Sequence, residues 1–358
     1  MMNIVHAHNG HNFERSMKME KTIQNLQNLL SLTIKKGGSD LHLVTGVIPV
    51  TRINGQITAL NNDLSRLSRE EGIELLKSLL SQYQIKKLEE NGDADASYEF
   101  EDPCTKKMIR CRINVYQDIN GYAFALRLIS NKIPSMKELL LPLSLRSLTA
   151  KQHGLIVVTG PTGSGKTTSL ASMLDYINES KALHILTIED PVEYIYPLKQ
   201  SIISQREIGQ NVLSFAAGLK AALREDPDVI LVGEMRDAET IATALAAAET
   251  GHLVLTTLHT SNVIEAVDRM LQYFPSEQQK QIQLQLSNCF EGIIAQKLLP
   301  RADGRGRIAA FEVLLRTPAT TNVIRTGEAF RLKDYMRSSE GMQTMEDSLD
   351  DLKKRMII

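Results

Sequence analysis

The residues best suited to chemistry lie at Gly160–Thr168, which read GPTGSGKTT and fit the spacing G-x-x-x-x-G-K-[ST]. Glycines at Gly160, Gly163 and Gly165, with the small Thr162 and Ser164 between them, let successive backbone N–H groups turn inward around an anion. A helix opening at Lys166 adds the positive end of its dipole. Lys166 brings a point charge to the β- and γ-phosphates of a nucleoside triphosphate. The hydroxyl of Thr167, with Thr168 beside it, can ligate Mg²⁺. The strand-like LIVVT before the loop and the helical SLASMLDYIN after it separate a phosphate loop from a mere glycine-rich turn. The stretch predicts nucleoside triphosphate binding.

Carboxylates follow at two places. TIEDPVEY holds Glu189, Asp190 and Glu193 just after the apolar run HILTI. Acids this close repel one another unless a cation or solvent shares them. Mg²⁺ and a water nucleophile would use that arrangement, although the cluster alone also reads as a solvated loop. Glu234 comes at the end of the apolar DVILVG. The C-terminal end of a strand beside a phosphate loop is where such sheets place their working groups. Thr167, Glu189, Asp190 and Glu234 are therefore the candidate metal ligands.

The elements that must position these residues are alternating strands and helices. From Gly154 the apolar runs LIVVT, HILTI, DVILVG and HLVLTTL interleave with helical segments, which predicts a parallel α/β sheet. Residues 147–358 form this domain, and the part from 275 onward reads as mostly helical, broken by RADGRGR. Upstream, residues 20–132 read as a separate α+β domain. A helix over 20–35 stops at Gly37-Gly38, and short strands flank turns at Asn54-Gly55 and Asn120-Gly121. Ser68-Arg69-Glu70-Glu71 opens a second helix running to about Glu90. Residues 133–146, with Pro134 and Pro142, read as the linker. Residues 1–19, with His6, His8 and His11, read as a polar, solvated tail.

Composition removes several classes. Lys and Arg number 41 against 42 Asp and Glu, so the basic excess needed to coat a nucleic-acid backbone is missing. There is no Trp for base stacking, and Arg301, Arg305 and Arg307 sit in a glycine-rich turn, so no direct nucleic-acid binding is expected. No apolar run approaches the roughly 20 residues of a membrane helix. The first residues lack the apolar core of a secretory signal. Cys104, Cys111 and Cys289 form no CxxC pair, which argues against a disulfide framework and against zinc. A cytoplasmic location follows.

The phosphate loop, TIEDPVEY, the Gln205-Arg206-x-x-Gly209 element, ALREDPDVILVGEMRDAETI and TGHLVLTTLHT occur in this order. Together they resemble the secretion-ATPase superfamily that drives type IV pili, type II secretion and conjugation. Within it, GSDLHL at Gly38–Leu43, FPSEQQ at Phe274–Gln279 and GMQTMEDSL at Gly341–Leu349 are similar to the twitching-motility, pilus-retraction branch.

That resemblance implies a PAS-like N-terminal domain and a RecA-like ATPase domain with a helical C-terminal part, assembled as a homohexamer. The ring would hydrolyse ATP with Mg²⁺ and act peripherally at the cytoplasmic face of the inner membrane, on the pilus machine's platform protein. It implies Glu193 as general base, Glu234 as the Walker B glutamate and His252 and His259 as the His box. Arg110, Arg112 and Arg127 match N-terminal-domain arginines that reach the nucleotide. Pilus extension, type II secretion and conjugation motors are the alternative within the superfamily. Those enzymes usually carry a further N-terminal domain, and many carry a four-cysteine zinc insert, which this sequence does not show. The likeness loosens at 319–326, where retraction ATPases usually read Ala-Ile-Arg-Asn-Leu-Ile-Arg-Glu. Arg325 is kept, while Thr321 and Thr326 replace the first arginine and the glutamate.

Overall fold

A computed structural model describes residues 20–358 except Asn54, Ser130, Asn131 and Arg305. The tail read at 1–19, with its three histidines, lies outside the described residues. The chain divides into two compact units, Met1–Asn131 and Lys132–Ile358.

The first unit begins with helix α1 over residues 20–35. Strands β1 (Asp40–Val44), β2 (Val50–Ile53) and β3 (Gln56–Ala59) follow, then helices α2 (Arg69–Leu79) and α3 (Gln82–Asn91). Strands β4 (Asp93–Glu101), β5 (Met108–Asp118) and β6 (Gly121–Ile129) complete it. They form one antiparallel sheet in the order β3-β2-β1-β6-β5-β4. Side chains alternate between faces, so register decides which residues share a side. Leu41 lies opposite Leu126, Leu126 opposite Ile113 and Ile113 opposite Ala96; this row is buried against Leu26, Leu30, Leu75 and Leu88 of the helices. The other face carries Arg52, Asp40, Arg127, Arg112 and Ser97 in the corresponding row. The single helix expected from Ser68 to Glu90 is two. Ser81 caps a fresh helix through a box with Gln84, and Leu80 turns extended and buries its side chain.

The second unit opens with α4 (Leu143–Thr149), then β7 (Gly154–Thr159), α5 (Lys166–Ser180), β8 (His184–Glu189) and β9 (Ile202–Glu207). Next come α6 (Phe215–Ala222), β10 (Val229–Val232), α7 (Ala238–Glu249), β11 (Leu253–Thr257), α8 (Val263–Gln272) and α9 (Ser276–Cys289). Strands β12 (Phe290–Pro300) and β13 (Arg307–Leu315) precede α10 (Pro318–Thr326), α11 (Leu332–Tyr335) and α12 (Met345–Lys354). The sheet order is β13-β12-β7-β11-β10-β8-β9, parallel throughout except for β13 against β12. Every residue of β7, β10 and β11 is buried, as strands covered on both faces must be. Ile156 and Val158 face a core with α4 and α5; Leu155 and Val157 face the larger core with α6, α7, α8, α9 and α10.

Two readings of this part need correction. The stretch after 275 contributes two long strands to the sheet: FEGIIAQKLL and RIAAFEVLL are rich in apolar residues without strict alternation, and periodicity alone does not tell a buried strand from a buried helix. The linker reading of 133–146 also fails, because Ile133, Met136 and Leu141 pack against the core around α5, and Leu145 is fully buried within it. Leu145 and Leu148 recur at helical spacing and are buried in that core, a signal that the neighbouring prolines mask.

Gly154, which starts β7, has φ +113°, and a Cβ there would sit 2.5 Å from Glu291 Cγ and 2.8 Å from the Cys289 carbonyl. Backbone strain of this kind costs roughly 1–3 kcal/mol before the clash is counted. At about 2–4 °C per kcal/mol for a unit of this size, Gly154→Ala should lower the second unit's thermal midpoint by about 5 °C or more. A midpoint within about 1 °C of the parent in a calorimetric scan would contradict this.

Candidate functional site

The parallel strands β7, β11, β10 and β8 lie side by side, and the candidate groups leave their C-terminal ends. After β7 the chain enters the glycine loop, with φ values of +77° at Gly163 and +89° at Gly165. Gly165 is the N-cap of α5 and gives it no side-chain cap, so the helix presents bare N–H groups there. Lys166 is 8% exposed, and its ammonium donates to the Gly160 carbonyl at 2.7 Å and the Pro161 carbonyl at 3.2 Å. Burial pulls this ammonium below its ordinary value, while the charges of Glu234 and then Glu193 pull it back. Both carboxylates therefore lie within electrostatic reach of the lysine. Thr167 and Thr168 are half-buried in the first turn of α5, and Thr162 is exposed.

Glu234 follows β10. Its neighbours are pinned: Gly233 N–H donates to Ile188 O, and the Thr257 hydroxyl donates to Gly233 O at 2.6 Å. The carboxylate meets the Arg236 guanidinium at 2.6 Å and the His259 ring, through Nε2, at 3.1 Å. His259 lies just after β11, where Thr159 ties that loop to the end of β7 by accepting the Thr260 N–H at 2.9 Å. Arg236 is not among the candidate residues above, and its place two residues after Glu234 in GEMRD is the sequence signal for it. His252 is not brought to this cluster within the chain. It precedes β11, at the opposite end of that strand from His259, and its ring contacts the Ala247 carbonyl at the end of α7 at 3.0 Å. Its expected catalytic role meets that geometric obstacle, since a parallel sheet gathers its outgoing loops at the C-terminal ends of its strands and His252 lies at the other end.

The acidic loop after β8 divides in two. Glu189 is buried; it accepts the Thr187 hydroxyl at 2.7 Å, and Gln205 Nε2 lies at 3.5 Å. Burial pushes its carboxyl up to about 7 despite those bonds. Its burial and its bond to Thr187, rather than exposure toward the loop, count against the metal-ligand expectation for Glu189. Asp190 and Glu193 are only partly buried. Tyr194 ties this loop to α5, its hydroxyl 3.1 Å from that of Thr168, while Gln205 Nε2 donates to the Tyr194 carbonyl. Gln205 lies on β9, an edge strand absent from the sequence reading.

Arg110, Arg112 and Arg127 share the polar face of the first unit's sheet, Arg112 directly opposite Arg127. Each has an acidic neighbour: Glu99 at 3.6 Å, Asp95 at 3.3 Å and Asp40 at 2.9 Å respectively. Burial would raise the Asp40 carboxyl, but hydrogen bonds from Ser39 and Arg127 outweigh it and hold the group below its ordinary value. The cross-strand register brings these arginines together.

The family described as Type II/IV secretion system protein matches residues 16–322. The twitching motility protein of Neisseria gonorrhoeae is 42% identical over 312 residues, spanning 87% of this chain and 82% of that one. The type IV pilus retraction ATPase PilT of Pseudomonas aeruginosa is 40% identical over 332 residues, spanning 92% and 94%. A crystal structure of the pilus retraction motor PilT with bound ADP is similar with a TM-score of 0.81 at 46% identity, covering 91% of this chain and 94% of that one. With its phosphate loop, its strand-end carboxylates and a match over most of its length, the chain belongs to the type II/IV secretion system protein family.

Proposed function

We propose that this chain is an ATP-hydrolysing motor that drives retraction of a type IV pilus. The observation that carries the reading is the convergence of Lys166, Glu234 and Glu193 at the ends of neighbouring parallel strands. The similarity to retraction ATPases over nine-tenths of the chain supports it further. Phosphoryl transfer to water needs positioned cations and an aimed nucleophile. The backbone N–H groups from Gly163 to Thr168 and the Lys166 ammonium hold the phosphates. Glu193 accepts the proton of the attacking water, Glu234 orients that water, and His259, joined to Glu234, senses the γ-phosphate.

Thr167 and Glu234 would hold Mg²⁺, with Asp190 a further acid nearby. Among the described residues no group of three or more His, Cys, Asp or Glu gathers into a metal site, which suits a cation held largely by phosphate and water. The ion would neutralise charge on the phosphate oxygens.

The finer reading keeps a PAS-like first unit and a RecA-like second unit in a homohexamer, with Arg110, Arg112 and Arg127 reaching the nucleotide. No described helix is long and apolar enough to cross a membrane, which is compatible with a peripheral motor acting on an inner-membrane platform protein. The segment around α10 is the mechanical part. Arg325 is exposed and donates to Asn322 Oδ1 at 2.7 Å, whereas Val323 and Ile324 are buried in the core.

Lys166→Ala should abolish ATP turnover and weaken nucleotide binding severely while the far-UV spectrum stays unchanged; unaltered affinity in a titration would remove the site. Glu234→Gln should keep nucleotide affinity and lower kcat by well over about tenfold, or about 1.4 kcal/mol of barrier. A smaller fall in a steady-state assay would take Glu234 out of the catalytic role. Arg325→Ala should leave ATPase activity within a few-fold and abolish pilus retraction scored by microscopy, and loss of turnover instead would mark α10 as purely structural.

A further inference from the structure

The phosphate loop is held from a strand that carries none of its own residues. β12 runs parallel to β7, with Ala295 opposite Thr159, so Gln296 comes level with the start of the loop. The side chain is 3% exposed and makes two bonds with opposite polarity. Its Nε2 donates to the Ser164 carbonyl at 2.7 Å, and its Oε1 accepts the Ser169 hydroxyl at 2.9 Å. Ser169 is itself 1% exposed, in the first turn of α5. One carboxamide thus bridges the loop and the helix that follows it.

The Ser164 carbonyl, which can only accept, settles which way the amide lies. Were the carboxamide turned over, its oxygen would face the Ser164 carbonyl, acceptor against acceptor in a dry site. The loop glycines make room for this residue. A methyl at Gly160 would collide with the Gln296 backbone carbonyl, and one at Gly165 would lie 2.9 Å from Gln296 Nε2. Two of the motif's glycines therefore admit β12 as well as bending the chain.

Holding the Ser164 carbonyl has a consequence on the other side of that peptide. In a planar trans peptide the C=O and the following N–H point in opposite directions. A Ser164 carbonyl turned to β12 turns the Gly165 N–H away from it. We propose that Gln296 is a positioning residue for nucleotide binding: it locks the Ser164–Gly165 peptide so that the Gly165 N–H is presented to the nucleotide's phosphates. Gln296 does not touch the nucleotide; it acts through the loop. This rests on the ATPase reading above and adds a residue that lies about 130 positions from the motif, a separation set by residues 164 and 296.

The test uses the full chain and ADP with Mg²⁺ in calorimetric titrations beside the parent. Gln296→Met keeps the volume and removes both bonds; its dissociation constant for ADP should rise about tenfold. In turnover, KM for ATP should rise by more than kcat falls. Gln296→Glu separates positioning from packing. As a carboxylate it repels the Ser164 carbonyl, but as a neutral acid it can donate to that carbonyl and still accept from Ser169. Its affinity relative to the parent should therefore be poor at about pH 8 and recover several-fold at about pH 6, because burial favours the neutral acid. A packing role would show no such recovery. If neither variant folds by circular dichroism, Ser169→Ala carries the test, with about a threefold loss of ADP affinity expected. A folded Gln296→Met binding ADP within about twofold of the parent, a Gln296→Glu variant with no recovery at low pH, or an unchanged Ser169→Ala overturns the proposal. A parent that binds no ADP would instead overturn the ATPase reading on which it rests.

Discussion

Four strands of the second unit run parallel side by side and are covered on both faces, and this burial governs where polar chemistry can occur. A carboxylate or ammonium inside such a sheet would lose its hydration without recompense. Charged groups are therefore driven to the strand ends, and parallel strands gather their outgoing loops at one edge. Lys166 after β7, His259 after β11, Glu234 after β10 and Glu193 after β8 meet because their strands are neighbours in that order. Glu189, the last residue of β8, shows the constraint from within: kept inside the sheet, its carboxyl is pushed up to about 7.

The electrostatics at this edge are arranged to be exchanged. Glu234 is largely enclosed at 12% exposure, yet its partners Arg236 and His259 are 68% and 49% exposed. Contacts with partners this open, ion pair or hydrogen bond, are worth about 0–1 kcal/mol, little enough for a phosphate or a cation to displace them. Lys166 is likewise held by two backbone carbonyls rather than by a carboxylate, so no buried ion pair has to be broken before it turns to an anion. The loop around it is less free, because Gln296 and Ser169 grip it from behind. The arrangement combines a fixed backbone with exchangeable charges.

The first unit uses register where the second uses strand order. One face of its sheet is an apolar row from Leu41 to Ala96; the other is a row of arginines and acids. A one-residue slip would send Arg112 and Arg127 into the helices' core, so the apolar packing that fixes register also fixes the charged face. Because Arg127 is 73% exposed, its pair with Asp40 orders the side chain more than it stabilises the unit.

Local spacing was enough to read the phosphate loop, the strand-end carboxylates and the two hairpins at Gly55 and Gly121, because each depends on neighbours within a few residues. Continuous apolar runs also announced the parallel strands β7, β10 and β11, since burial on both faces leaves no polar position to confuse the pattern. β12 and β13, whose apolar residues are interrupted by Glu291, Gln296 and Glu312, followed a helix and read as more helix. Only tertiary structure decided that His259, at the C-terminal end of β11, meets Glu234 at the end of β10, while His252 at the other end of the strand contacts the Ala247 carbonyl. It alone decided that Glu189 turns inward and that Glu234 lies between Arg236 and His259. It also placed Gln296, which looks from the sequence like any polar residue in an apolar run, against a loop more than a hundred residues earlier. Such contacts are set by which strands become neighbours, and nothing in the spacing of a single segment encodes that choice.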